Sequence, residues 1–572
     1  MMDRGPDCGS QRGGSAMAPV AQFAGQFRAY LQQLLHRPPA TAAAVEPGEQ
    51  QSAVPILLVL LVATGWFGTF KVAYLAADAF AVRYLWATVF ILVPALFAGW
   101  RQSYAGMSAA YSVVVRGSIA ILGCYALVEY HVFPPDLPSP QRQLSVGLEF
   151  ARALACIGTL VGMFRPAFGA LPAFYVLLVK DWTEYLLGLP TISRTDYLPV
   201  VELVLFSVMC VAVFNLAGRM RLPVLSRWRT PTLERITSVT FIAAVAIHFG
   251  NYFYSGVEKL RLDGGPLSWV LENATYVLIP NTIASGHMPL AHWPELTWQL
   301  YGGFVAGCVF VNALTLVLQL LSVVAITSFR RIVAISFCYD LTHVVIFFAT
   351  GIFFWKWILL NMLIVVAASK MSSRRLDRWE QVLGATTVVA ATLVFFAARL
   401  AWYDSPAVNR SYFVAIDRSG AEFEVPSNYF TSGSITVAQM RLGVVSDAVF
   451  PTGTWGTTSK HEIMKRAQRC DLRPGEHPAA YLSDVRQISD FIRSYHRAVL
   501  ARVDERGRFN YDLYPHHIWS NPWRFERFQH LDKRSIVAYK YITDVACLNY
   551  IDGIVRSAPL NHHEIRVDVS GS

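Results

Sequence analysis

The sequence predicts an all-α polytopic membrane bundle of about eleven transmembrane helices, followed by a C-terminal extracytoplasmic α+β domain. Three observations predict it. Of 572 residues, 54% are hydrophobic and only 15% charged, whereas a soluble domain is about a quarter charged. Apolar runs near the length of a bilayer crossing recur from residue 54 to 403. The pattern then changes to short alternating and helical segments from 404 to 572.

Residues 1–53 are rich in Gly, Ala, Pro and Gln and lack a signal-type apolar core, which predicts a flexible cytoplasmic tail. The apolar runs lie near Val54 to Leu75, Tyr84 to Trp100, Ala109 to Val132, Gly147 to Phe164, Phe168 to Leu189, Pro199 to Gly218, Thr237 to Gly256, Leu296 to Ile326, Ile332 to Phe353, Trp357 to Ala368 and Val382 to Tyr403. Arginines and lysines crowd alternate connections: Arg101, Arg165, the cluster Arg219 to Arg235, Arg330, Arg331, and Lys370 to Arg378. That asymmetry predicts a cytoplasmic side for this set and, with an odd number of spans, an outer side for everything after Tyr403. It also accounts for the formal net charge of +10 without a nucleic-acid partner.

In the C-terminal region Tyr412 to Ile416 and Glu422 to Val425 alternate around an Asp-Arg-Ser-Gly turn, predicting a hairpin. Tyr481 to Val503 has helical spacing, and Ile536 to Tyr550 is strand-like. Cys470 and Cys547 are a disulfide candidate if the domain faces an oxidising compartment, and otherwise two thiols. His516-His517 and His562-His563 invite a metal, but neighbours on a strand point to opposite faces, so no metal site is expected. His516, Trp519, Trp523 and Phe525 form either a membrane-resting aromatic surface or ordinary domain surface. Asn273-Ala274-Thr275 and Asn409-Arg410-Ser411 match the glycosylation pattern.

Ionisable groups inside apolar runs are costly and are therefore the first candidates for chemistry. His248, Tyr252, Ser255 and Lys259 are spaced by four, three and four, which puts them on one helix face. Lys259 at the end of that stripe is either a snorkelling side chain or, if desolvated, a general base. Ser336, Asp340 and His343 form a second stripe, a proton relay or a packing contact. Lys71, Glu129, Lys180, Asp181, Glu184 and Glu202 fall toward the expected outer ends of their helices and are candidates to line a substrate site with Ser255. Lys180 and Glu184 are also spaced for an intrahelical ion pair.

The segment Tyr252-Phe253-Tyr254-Ser255-Gly256-Val257-Glu258-Lys259-Leu260, followed by Asp263 and Trp269, resembles the signature of the vitamin K-dependent gamma-carboxylase family and its bacterial HTTM relatives. Asp340-Leu341-Thr342-His343 through Gly351-Ile352-Phe353-Phe354 resembles a later helix of that family. The resemblance covers roughly residues 236 to 369, and Glu258 stands where the animal enzymes carry a second lysine. It implies that Lys259 is a base acting on a reduced, vitamin K-like quinone, with His248, Tyr252, Asp340 and His343 around it. It also implies oxygen or carboxylation chemistry and a protein or peptide substrate at the extracytoplasmic face. From a different class, a transporter or ligand-binding scaffold with an outer partner-binding domain would also use intramembrane charges.

Overall fold

The computed structural model describes residues 53–128, 139–186, 199–220, 231–396, 400–430, 443–445, 450–451, 453–472, 479–481, 484–511 and 518–571. The N-terminal segment expected to be a flexible tail lies outside them up to residue 52. Among the described residues, eight helices are long and apolar enough to cross a membrane: Ala53–Ala76, Phe80–Gly99, Ala109–Val128, Gln141–Gly162, Pro199–Arg219, Leu233–Leu260, Pro294–Leu320 and Phe329–Thr350. These are the helices of a multi-pass membrane protein. Helices also stand at the other three apolar runs, Ala170–Leu186, Trp355–Lys370 and Arg378–Val394. At 16 or 17 residues, each rises only about 25 Å, less than a hydrocarbon core of about 30 Å.

Local sequence explains several of the boundaries. Phe80–Gly99 is interrupted by a wide turn at Thr88–Leu92, just before Pro94, whose missing N–H cannot continue the ladder. Thr232 caps Leu233–Leu260 by accepting from the Arg235 N–H. Phe329–Thr350 ends at Gly351, whose φ of +69° is the left-handed cap that glycine supplies. A Cβ there would fall 2.2 Å from the His287 carbonyl oxygen, so the same glycine lets two loops meet.

Leu233–Leu260 is the axial helix, buried almost continuously from Ile236 to Tyr252. It crosses Arg378–Val394 at Gly250, where a Cβ would lie 2.6 Å from the Ala391 Cβ, a close approach that only a small residue allows. At its beginning Arg235 pairs with Asp377 and with buried Glu380, which also holds Arg374 at 2.5 Å. Pro294–Leu320, by contrast, turns Val305, Val309, Phe310, Leu314 and Val317 outward, as a lipid-facing helix does.

The C-terminal region is built on a four-stranded antiparallel sheet in the order β3-β2-β7-β8, with β2 Ala407–Asp417, β3 Glu422–Val425, β7 Ile536–Ile551 and β8 Ile554–Asp568. A two-residue strand, β1 Tyr403–Asp404, pairs with β5 Thr457–Thr458, and β4 Gly443–Val445 pairs with β6 Ala479–Tyr481. The β2–β3 hairpin has the expected register, Phe413 opposite Val425 and Ile416 opposite Glu422. Asp417 fixes its turn by accepting from the Ser419 and Ala421 N–H groups. The Val485–Leu500 helix lays Ile488, Phe491, Ile492, Tyr495 and Val499 against Phe413, Tyr539 and Tyr541. It is shorter than the expected 481–503, since Tyr481 belongs to a short strand and the chain turns after Leu500.

Candidate functional site

The sequence-predicted polar residues fall into three separate clusters, not one. His248 lies in the first, on the axial helix, with its Nε2 2.9 Å from Asn361 Oδ1. The Asn361 amide nitrogen donates to both the Tyr252 hydroxyl and Asp340 Oδ1, each at 3.0 Å. With the amide hydrogens so committed, the Asn361 oxygen can only accept, and His248 carries its proton on Nε2. Asn361 thus ties both sequence stripes together from the Trp355–Lys370 helix.

Beside this network is a narrow cavity of ≈ 80 Å³ lined by aromatic rings and a few polar groups. Tyr252 stacks on Tyr339 at 3.6 Å, with Trp357 edge-on to Tyr252 at 5.4 Å and Phe354 5.2 Å from His343. His343 Nδ1 and Gln319 Oε1, both buried on residues of this lining, have no hydrogen-bond partner among the described residues. Buried polar atoms are normally paired, so two orphans on one small cavity are a feature to explain. Ser336, on the same stripe as His343, is buried as well and does not line it.

Lys259 anchors the second cluster and does not snorkel. Its side chain is covered by the chain leaving the last apolar run, and only 5% of the residue is exposed. Its Nζ donates to the Leu400 carbonyl at 2.5 Å and to Ser255 O at 3.4 Å, and lies 4.9 Å over the Trp269 ring. Asp404 is the nearby carboxylate, bracketed by Asn273, which donates to Asp404 Oδ2 and accepts from its N–H. Burial pushes the Asp404 carboxyl up to about 6, against the pull of Asn273 and Lys259. Leu400 links the two clusters: its carbonyl holds Lys259, its N–H reaches Ser255 Oγ at 3.4 Å, and its side chain lines the cavity. Glu258 turns away and pairs with Arg261.

The third cluster holds helix ends and lies elsewhere in the bundle. Lys71 donates to the Phe395 carbonyl at 2.6 Å, and buried Glu202 accepts from the Phe396 N–H at 2.9 Å, so the two clamp the chain where Arg378–Val394 ends. Asp181 is paired with buried Arg83 at 2.8 Å and accepts from Tyr74 at 3.2 Å. For Lys71, Asp181 and Glu202 the expected convergence with Lys259 and Ser255 is therefore corrected: Asp181 is taken up by Arg83 and Tyr74, and Lys71 and Glu202 by backbone groups at Phe395 and Phe396. Glu129 lies outside the described residues, as do the side chains of Lys180 and Glu184.

In the C-terminal region Cys470 and Cys547 are joined as a disulfide with Cα atoms 6.0 Å apart. His562 binds Asp544, and among the described residues no His, Cys, Asp and Glu group is arranged to hold a metal. His516 and His517 lie outside the described residues. Trp519 packs against Phe347 and donates its N–H to Gly351 O, so it joins bundle to domain, while Trp523 stays exposed. Asn273 and Asn409 are buried, which removes both as glycosylation acceptors in the folded chain.

Sequence reasoning missed Asn361, Gln319, Tyr339, Trp357 and Asp404. Asn361 and Gln319 carried a signal, since each is a polar residue within an apolar run. Asp404 carried none, because its place depends on the chain folding back over Lys259. Compared with models of protein families, with curated proteins and with solved structures, the chain matches none.

Proposed function

We propose that the chain is a membrane enzyme that binds a flat, hydroxyl-bearing lipidic ring, a reduced quinone, in the aromatic cavity, with Lys259 as the base. The two orphaned buried atoms, His343 Nδ1 and Gln319 Oε1, carry this reading. A ring with two hydroxyl groups would satisfy them while its faces meet Tyr252, Tyr339 and Trp357. When bound, a reduced quinone supplies the reducing equivalents for reaction with oxygen. His343 and Gln319 orient the ring, and the aromatic wall keeps water out. Lys259 Nζ takes a hydroxyl proton once the Leu400 carbonyl lets it go, since in the present arrangement that carbonyl stands between amine and cavity.

The side assignment belongs to the same proposal. An odd number of spans, eleven if the three short helices cross, puts the N-terminus in the cytoplasm and the C-terminal domain outside. The arginine asymmetry and the Cys470–Cys547 disulfide support it. A protein or peptide acceptor at that face, and carboxylation itself, rest on the family resemblance alone.

The second reading, a ligand-binding scaffold or transporter, is favoured by one observation: Lys259 is held by backbone carbonyls behind Leu400. Oxygen uptake by the purified protein in nanodiscs, across a panel of reduced quinones, separates the two. Quinol-dependent uptake lost in Lys259→Ala, with quinol binding retained, supports the base. Binding that needs His343 without uptake in any variant supports the scaffold.

A further inference from the structure

A second groove lies outside the membrane cavity, between the sheet and the short Leu278–Ala284 helix. There Val408 of β2, Ala546 and Leu548 of β7 and Val555 of β8 face Ile283 and Ala284 across a groove of ≈ 490 Å³. The groove is mostly apolar and charged toward one end, where Arg410, Arg524 and Asp544 line it, Arg410 and Asp544 opposite each other across β2 and β7. The Arg410 guanidinium lies 4.0 Å over the Tyr412 ring and donates to the Ala284 carbonyl, and among the described residues it has no carboxylate partner. Arg524 binds Glu424 at 2.8 Å. Asp544, the carboxylate of the lining, is engaged on both oxygens, by the Tyr412 hydroxyl at 2.8 Å and by His562 Nδ1 at 2.6 Å. The groove thus offers an under-used guanidinium beside a carboxylate that is already occupied.

The apolar end runs to the β7–β8 hairpin. Ile554, which lines the groove, and Ile551 form the tip of the β7–β8 hairpin and are 60% and 45% exposed. Neighbouring Tyr550 sits edge-on to Trp298 at 5.4 Å and to Tyr301 at 5.0 Å, in the first turns of Pro294–Leu320. Trp and Tyr at the start of a lipid-facing helix mark the headgroup level. The hairpin tip stands at that level, and exposed isoleucines there are covered by lipid at no cost in hydration.

We propose that this groove binds an anionic phospholipid of the surrounding membrane. Its phosphate is received by Arg410, with Arg524 beside it, and an acyl chain runs along Val408, Leu548 and Val555 past Ile554 into the bilayer. A planar guanidinium already braced by Tyr412 and Ala284 matches two phosphate oxygens and loses little freedom on binding. The site stands whether or not Lys259 is a base.

Native mass spectrometry of the full chain in detergent, titrated with phosphatidylglycerol and with phosphatidylcholine, tests it. Wild type is expected to hold phosphatidylglycerol preferentially, and Arg410→Gln to weaken that roughly tenfold, the effect of losing a charged hydrogen bond. Arg410→Lys keeps most of the preference, and Ile554→Ser weakens retention of either lipid. If Arg410→Gln does not fold, Arg524→Gln, whose side chain is half exposed, carries the same test. Equal retention of both lipids, no change in Arg410→Gln and Arg524→Gln, or displacement by inorganic phosphate as effective as by lipid, would each overturn the proposal.

Discussion

Two buried polar clusters in one bundle do opposite things. Arg83 and Tyr74 both meet Asp181, Arg83 also donates to the Ala77 carbonyl, and Lys71 and Glu202 are occupied by the chain at Phe395 and Phe396. Around Asn361 the network adjoins open volume through Tyr252 and His343, and His248 Nδ1, His343 Nδ1 and Gln319 Oε1 are left unmet among the described residues. Both clusters look alike in sequence, as ionisable residues in apolar runs. The difference teaches that intramembrane charge is a weak sign of function until its partners are counted. A group whose partners are all protein is holding the fold, and a group with a vacancy beside a cavity is waiting for something else.

The comparison breaks if the first cluster proves dispensable. Asp181→Asn leaves the Arg83 guanidinium buried without its counter-charge, and the expected loss is about 3–5 kcal/mol, read as a fall in thermal midpoint of the detergent-solubilised protein. Asp181→Leu combined with Arg83→Leu should recover most of that loss, because the desolvation cost disappears with both charges. Quinol binding per folded molecule should be unchanged in either variant. His343→Phe should do the reverse, abolishing binding while shifting stability by under about 1.5 kcal/mol.

A smaller effect separates the bundle from the domain it carries. Cys470→Ala opens a link between residues 77 apart in sequence, for which about 2–4 kcal/mol of stability is expected to be lost. The loss should appear in thermal unfolding of the C-terminal domain under non-reducing conditions and vanish when wild type is measured in reductant. Unchanged unfolding would mean that the neighbouring core of Phe450, Leu472, Val545 and Leu560 holds this corner unaided.

Within the cavity cluster Asn361 is the keystone. Asn361→Leu leaves Asp340, Tyr252 and His248 each short of a hydrogen bond, with an expected cost of about 1–3 kcal/mol. If quinol affinity falls without loss of stability, the network orients the site and is not needed for the fold.

How far the sequence revealed these clusters depended on which contacts are local. A helix stands at each of the eleven apolar runs, because length and hydropathy are properties of a segment, although the last, expected to reach Tyr403, ends at Val394 where the chain turns extended and Tyr403 joins a strand. The stripes His248–Tyr252–Ser255–Lys259 and Ser336–Asp340–His343 were legible for the same reason, as helical periodicity. Partners were not. Arg83 falls just before the Tyr84 to Trp100 run and nothing local says that Asp181 will stand beside it, and the two readings of Lys259 stayed open because nothing in its own helix says that Leu400 will cover it. Strand β8 escaped notice because Arg556, Asn561, His562, Glu564 and Arg566 obscure its alternation, and only pairing with β7 orders it. Gly351 illustrates a different limit. It resembles part of a family motif, yet its visible role is to end a helix and admit the His287 carbonyl.

The smallest effect is one of pH, and it sharpens the contrast between domain and junction. His496 is buried in the C-terminal domain with its Nδ1 3.1 Å from the Tyr539 hydroxyl, and burial holds its pKa down to about 4. Between pH 6.5 and that value the unfolded chain takes up a proton that the folded chain refuses, so stability present at neutral pH is lost as the pH falls. Asp404 at the junction works the other way. Its carboxyl is held up to about 6 by burial, so the folded state keeps a proton that the unfolded state gives up, and stability is lost as pH rises from about 4 to 6. At pH 5.5 the histidine alone should cost the domain about 1 kcal/mol relative to pH 7.5. His496→Gln is expected to remove that loss in thermal unfolding across this range, while Asp404→Asn should leave the acid loss in place or deepen it. A midpoint that does not move over the range in Asp404→Asn, where the opposing carboxyl is gone, would require that protonated His496 is stabilised in the folded state by a group other than Tyr539.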